Sequence, residues 1–211
     1  MKTLDNYITE RLKLTSKTYK YTCQPKNRLA LRKILEERLT KDKDADLNDI
    51  DVSQITDMGA TEGNNVGLFE RLDPHNIKIN EWDVSNVTDM FALFYECKNL
   101  DCDLSDWDVS NVTNMNYMFA YCKNFTGTGL EYWDVSNVTD MSYMFCCCNN
   151  FTGKGLENWN VSKVTNMCGM FFRCENFNGD LSKWDVSSVK DMDVMFHNCY
   201  SLKNKPTWYK K

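Results

Sequence analysis

The sequence predicts a repeat solenoid of six coils, 25 or 26 residues each, in which every coil supplies one short parallel strand and one helical turn, behind an N-terminal α-helical cap. Three observations carry this expectation. Tryptophan stands at 82, 107, 133, 159 and 184, a spacing of 25 or 26 residues held over five copies. Each tryptophan opens the same phrase, WDVSNVTDM in its fullest form, followed by a Met-Phe or Leu-Phe pair, a cysteine and then Phe or Leu. One cysteine per copy, Cys97, Cys122, Cys148, Cys174 and Cys199, falls at one place in that phrase. A unit this short cannot bury its apolar face alone, so its neighbours must cover it.

In chain order, Leu4, Tyr7, Ile8 and Leu12 recur at helical spacing over residues 3–14. Tyr19, Tyr21 and Cys23 alternate as in a strand or extended link that Pro25 closes. Asn27 then caps a second helix, whose stripe is Leu31, Ile34, Leu35 and Leu39 and whose wet side is Arg32, Lys33, Glu36 and Glu37. After the polar KDKDAD linker, ADLNDIDVSQITDM aligns with CDLSDWDVSNVTNM, so a degenerate first copy starts at Leu47. Seven extra residues separate Met58 from Trp82, which reads as an insertion at 59–77 emerging as a loop. The organisation is thus a cap at 1–45, an array at 46–203 and a C-terminal tail at 204–211.

Within a copy, the Val-Thr-Asp centre has strand propensity, and the residues after Met90 (Leu93, Phe94, Cys97) fall at i+3, i+4 and i+7, one face of a helical turn. Gly127, Gly153 and Gly179 mark a corner where a left-handed residue is needed. Asp89, Asn114, Asp140, Asn166 and Asp191 alternate charged and neutral, which keeps carboxylates about 10 Å apart rather than about 5 Å in a stacked ladder. Ser85, Ser110, Ser136, Ser162 and Ser187 are expected to cap turn backbone groups. The column Asp83, Asp108, Asp134, Asn160 and Asp185 is expected to accept backbone hydrogen bonds rather than to hold calcium, which wants several oxygens around one point.

Charge is uneven: residues 1–50 hold 12 basic against 8 acidic side chains, the remainder 13 against 22, for a net charge of -5. An acidic array argues against nucleic acid. No apolar run is long enough for membrane insertion. The ten cysteines would suit a disulfide framework, but stacked equivalents have parallel Cβ directions that do not fit a disulfide dihedral. The five in register therefore read as buried apolar thiols.

The 25- to 26-residue phrase with its Trp, Met-Phe and Cys resembles the BspA-like leucine-rich-repeat family, also described as the mycoplasma-type 26-residue surface-protein repeat, over about residues 47–202. The resemblance implies a right-handed, leucine-rich-repeat-like solenoid with a parallel sheet on one side, a role in adhesion or protein binding, and no defined catalytic residues. Many such proteins are displayed on surfaces. The start MKTLDNYITERLKL carries charges where an export signal has its apolar core, so a cytoplasmic location is expected.

Chemistry has few candidates. His75 and His197 lie in different copies, without a nucleophile in register, and both read as surface residues. Cys146, Cys147, Cys148 and Cys168 are not expected to converge on zinc, because adjacent side chains diverge; Cys146, Cys147 and Cys168 are expected on the outer face as the oxidation-prone thiols. The Asn-Val-Thr glycosylation triplets are discounted as parts of a packed strand. What remains is a set of aromatic residues at positions the repeat leaves free: Tyr95, Tyr117, Tyr121, Tyr143 and Phe172. Aromatics on neighbouring rungs are the currency of binding hot spots. The expectation is a non-enzymatic, cofactor-free module for a protein partner, such as an intracellular or phage-borne binder of a host protein. A surface adhesin for a matrix protein or glycan is the alternative, and an enzyme the third reading.

Overall fold

Side chains that recur in the sequence meet their own equivalents in space. The computed structural model describes residues 21–60 and 67–210. Trp82, Trp107, Trp133, Trp159, Trp184 and Trp208 form one column, with neighbouring centroids 6.4–6.5 Å apart and planes within 6° of parallel. Each indole N–H donates to a carbonyl at the opening of the preceding copy: Trp133 to Leu104 at 3.0 Å, Trp159 to Leu130 at 2.9 Å. A buried indole needs such a partner. Phe69, Phe94, Phe119, Phe145, Phe171 and Phe196 form a second column at 4.9–5.8 Å. The in-register cysteines are free and buried, and their thiols donate to the phenylalanine carbonyls of the preceding copy, as Cys148 does to Phe119 at 2.9 Å.

The expected strand contracts to one parallel bridge per copy, through Asp57, Asp89, Asn114, Asp140, Asn166 and Asp191. Its brevity has a local cause. The side chain of each of these residues accepts the N–H two residues on (Asp89 from Phe91 at 2.7 Å, Asn114 from Asn116 at 3.0 Å) and so bends the chain out of line. The alternation along this column serves a direct bond: Asn114 Nδ2 donates to Asp89 at 3.1 Å and Asn166 Nδ2 to Asp140 at 3.2 Å. In the Asp83 column the carboxylates do accept turn N–H groups, Asp83 from Ser85 at 3.1 Å. The serine hydroxyl, expected to cap the backbone, instead donates to the same carboxylate at 2.6 Å.

The arm after Met90 is not helical. Leu93 N–H bonds back to Met90 O and Cys97 N–H to Phe94 O, closing two consecutive turns with left-handed residues, Ala92 at φ 54° and Glu96 at φ 59°, in the third positions. That is the type II pattern. The N–H groups between the turns point along the stack: Met90, Ala92, Phe94 and Glu96 donate to Asn114, Asn116, Met118 and Ala120 at 2.9–3.0 Å. A helix would spend those donors on itself. At the corner, Gly127 and Gly153 are left-handed as expected, but Gly179 is not; there a Cβ would approach the Gly153 carbonyl to 2.8 Å, so the small residue is required for space.

Helix α1 spans Arg28–Lys41. Asn27 Oδ1 accepts the Ala30 N–H at 2.9 Å, and Leu31, Leu35 and Leu39 are wholly buried against the first copy. Arg32 Nη1 lies 2.8–3.1 Å from the carbonyls of Gly67, Leu68 and Glu70. Leu68 and Glu70 are the equivalents of Leu93 and Tyr95, whose row of carbonyls faces the preceding copy, so one guanidinium stands in for the N–H groups of a preceding copy. Arg38 pairs with Asp49 at 2.6 Å, and Cys23 bridges to Ile50. The expected helix at 3–14 and Tyr19 lie outside the described residues.

Two boundaries differ from those read in the sequence. Ala60 N–H bonds as Ala92 N–H does, an offset of 32 residues, and Phe69 as Phe94 does, an offset of 25. The seven extra residues (32 minus 25) therefore enter between Ala60 and Phe69, and Leu68 to Ile77 belong to the first copy. At the other end, Trp208 of the supposed tail joins the indole column and donates to Leu181 at 2.9 Å. Among the described residues no helix is long and apolar enough to cross a membrane.

Candidate functional site

The register that buries Trp, Phe, Met and Cys turns the free positions of the arm outward. Tyr95, Tyr117, Tyr143 and Phe172 pack against a small apolar cluster separate from the main core, made of Ala120, Cys146 and Cys147. Tyr121, at 37 % exposed, joins them through Tyr95, their rings edge to face at 5.7 Å. Tyr117 and Tyr143 are stacked at 4.8 Å and 10°, while Tyr95 meets Tyr117 edge-on at 6.2 Å. All five predicted aromatics thus lie on one ledge. Four of them are in ring contact. Phe172 reaches the group through the small cluster, pairs with His197 at 5.4 Å and carries the Arg173 guanidinium over its ring.

The backbone beneath the ledge is constrained. Tyr117, Tyr143 and Tyr121 have φ of 56°, 54° and 65°, because they occupy the third positions of the two turns in their copies. The same two columns hold Ala92, Gly169 and Val194, and Glu96, Cys147, Arg173 and Asn198. A left-handed conformation costs a side-chain-bearing residue roughly 1–2 kcal/mol. Gly169 alone avoids that cost, and it does more: a Cβ there would fall 2.3 Å from Tyr143 Cε1, so its absence lets the Tyr143 ring lie over the next copy.

The phenols stay neutral near pH 7. Burial and the neighbouring Glu96 carboxylate push Tyr95 up to about 12, and a hydrogen bond with the Cys168 thiol, at 3.5 Å, together with burial does the same to Tyr143. The ledge offers ring faces and hydroxyl groups without net charge, apart from Glu96 and Arg173 at its rim.

Cys146 and Cys147 are close, with sulfurs 3.7 Å apart, but the tyrosines cover them: they are 3 % and 9 % exposed. The expectation of outward, oxidation-prone thiols is corrected for this pair, and Cys168 alone of the three is half-exposed. Burial raises the Cys146 pKa well above that of a free thiol. The expectation that the glycosylation triplets are packed is corrected: Asn86, Thr88, Asn111 and Thr113 are exposed, with the Asn86 and Asn111 amides donating to Ser53 and Ser85 carbonyls. His75 lies between Asp44 at 3.9 Å and Asp73 at 3.8 Å. No group of three or more metal-ligating side chains is found among the described residues.

The sequence reading missed Phe91, edge-on to Tyr117 at 6.4 Å, and the stacking of His197. The lone Cys-Cys doublet outside the structural register was the available signal for the floor of the ledge. A family profile described as "Mycoplasma protein of unknown function, DUF285" matches residues 31–132 and 126–210. No curated protein and no solved structure matches the chain.

Proposed function

We propose, from the premise that this chain belongs to the mycoplasma DUF285 family, that it is a non-enzymatic protein-interaction module, a solenoid of the BspA-like kind that holds its partner on the tyrosine ledge. One observation carries the reading. The turns demand left-handed residues, for which glycine or asparagine is cheapest, yet Tyr117, Tyr121 and Tyr143 stand there. Stability alone does not select tyrosine at such a position. Strain retained at neighbouring sites together with clustered, half-exposed rings is the pattern of a surface kept for recognition. Neutral phenols on a rigid backbone bury large ring area at little entropic cost, which suits an apolar or aromatic side chain of a partner rimmed by polar groups.

The test is quantitative cross-linking and capture of partners with the wild-type chain and with Tyr117→Ser/Tyr143→Ser. The double variant should keep the fold and lose the partner signal. An unchanged set and amount of captured partner would refute the ledge as the site.

A further inference from the structure

Every buried in-register cysteine spends its thiol on a carbonyl of the preceding copy: Cys97, Cys122, Cys148, Cys174 and Cys199 donate at 2.7–3.5 Å. Cys146 and Cys147 do not follow this use. Their thiols lie against each other at 3.7 Å under Tyr117, Tyr143 and Phe172, and nothing in the stacking scheme calls for sulfur there. The equivalent of Cys146 one copy earlier is Ala120, and that of Cys147 two copies later is Asn198, also left-handed.

We infer that Cys146 and Cys147 form a two-sulfur site for a soft monovalent cation of the copper(I) class. Soft thiolates select copper(I), whereas structural zinc needs four ligands, which this pair cannot supply. The sulfurs sit at non-bonded contact, far beyond the roughly 2.05 Å of a disulfide, so small side-chain rotations admit an ion between them. Binding replaces two S–H bonds by two S–Cu bonds and releases two protons to solvent, with no change of oxidation state. The bis-thiolate complex carries one negative charge, and the Arg173 guanidinium, whose charge acts on Cys146, offsets part of it. The rings of the ledge leave the two thiols almost wholly out of water. Cys147 is the more exposed of the two thiols, at 9 %, and the exposed Tyr121 ring lies within electrostatic reach of both.

Anaerobic titration of the reduced full chain with copper(I) against a competing chelator tests this site, read by stoichiometry and by sulfur-to-copper charge-transfer absorption. The repeat itself supplies substitutions that fit each position, Cys146→Ala and Cys147→Asn. The wild type should take up one equivalent, and either variant should bind more weakly by more than the roughly 10–100-fold that loss of an outer-shell partner alone costs. Cys168→Ser should bind like wild type. Equal binding by Cys146→Ala, loss on Cys168→Ser alone, or no uptake by the folded wild type would each overturn the assignment. Should either variant not fold, the conservative Cys146→Ser and Cys147→Ser take its place, and copper(I) uptake equal to wild type by either folded serine variant rejects the site.

Discussion

Replacing Trp133 by alanine probes how strongly one copy holds the next. The indole is 5 % exposed, stacks at 6.4 Å on both Trp107 and Trp159, and bonds to Leu104 O at 3.0 Å. An aromatic side chain buries about 150–250 Å², and truncation of a core aromatic costs about 3–5 kcal/mol. The Leu104 carbonyl, left inside the cavity, adds about 1–3 kcal/mol. The expected loss is therefore about 4–8 kcal/mol, comparable to the whole stability of many domains of this size. Guanidinium unfolding followed by circular dichroism measures it, with tryptophan fluorescence as a second probe, because a repeat array can lose one interface before the others. Two companions partition the effect. Trp133→Phe retains most of the ring and should cost about 2 kcal/mol, chiefly the orphaned carbonyl. Trp208→Ala removes a ring stacked on one side only, against Trp184 at 6.5 Å, and should cost about half as much as Trp133→Ala. A Trp133→Ala loss below about 1 kcal/mol, or a larger loss at Trp208, would refute the column as the source of cohesion.

Tyr117→Gly should be less destabilising than Tyr117→Ala by about 1 kcal/mol, reversing the usual order, because φ is 56° there; equal unfolding midpoints would contradict the left-handed assignment. Arg32→Ala should cost about 1.5–3 kcal/mol by stranding the carbonyls of Gly67, Leu68 and Glu70, and Arg32→Lys should recover part of it, both read from denaturation curves. Brief alkylation of the native protein followed by mass mapping should label Cys23 and Cys168, the two half-exposed thiols, and leave the eight buried ones unmodified. The Arg38 hydrogen bond holds the Asp49 carboxyl below its ordinary range, so this pair contributes stability above the unfolded pKa and loses it as pH falls through the depressed folded value. Asp49→Asn should lower stability at pH 7 by about 0.5–1 kcal/mol and narrow the difference from wild type in acid, where both lack the ion pair.

The tyrosine ledge was legible as a list of residues before its geometry was known. Tyr95, Tyr117, Tyr121, Tyr143 and Phe172 stand where the repeat leaves choice, and a period of 25 or 26 places equivalent positions side by side. Their backbone conformation was not legible, nor was the burial of Cys146 and Cys147 beneath them, since both depend on which way adjacent residues turn.

Local chemistry written in the chain was enough to set the period, the residues that face inward, and the 28–41 helix with its Asn27 cap, because each follows from short-range spacing and from which side chains avoid water. Only the tertiary structure decided that the arm after each methionine is a pair of turns rather than a helix. Inward residues at i+3, i+4 and i+7 serve either backbone equally well. The choice falls to the N–H groups of Met90, Ala92, Phe94 and Glu96, and their acceptors lie about 25 residues away on the next copy, beyond the reach of any local pattern.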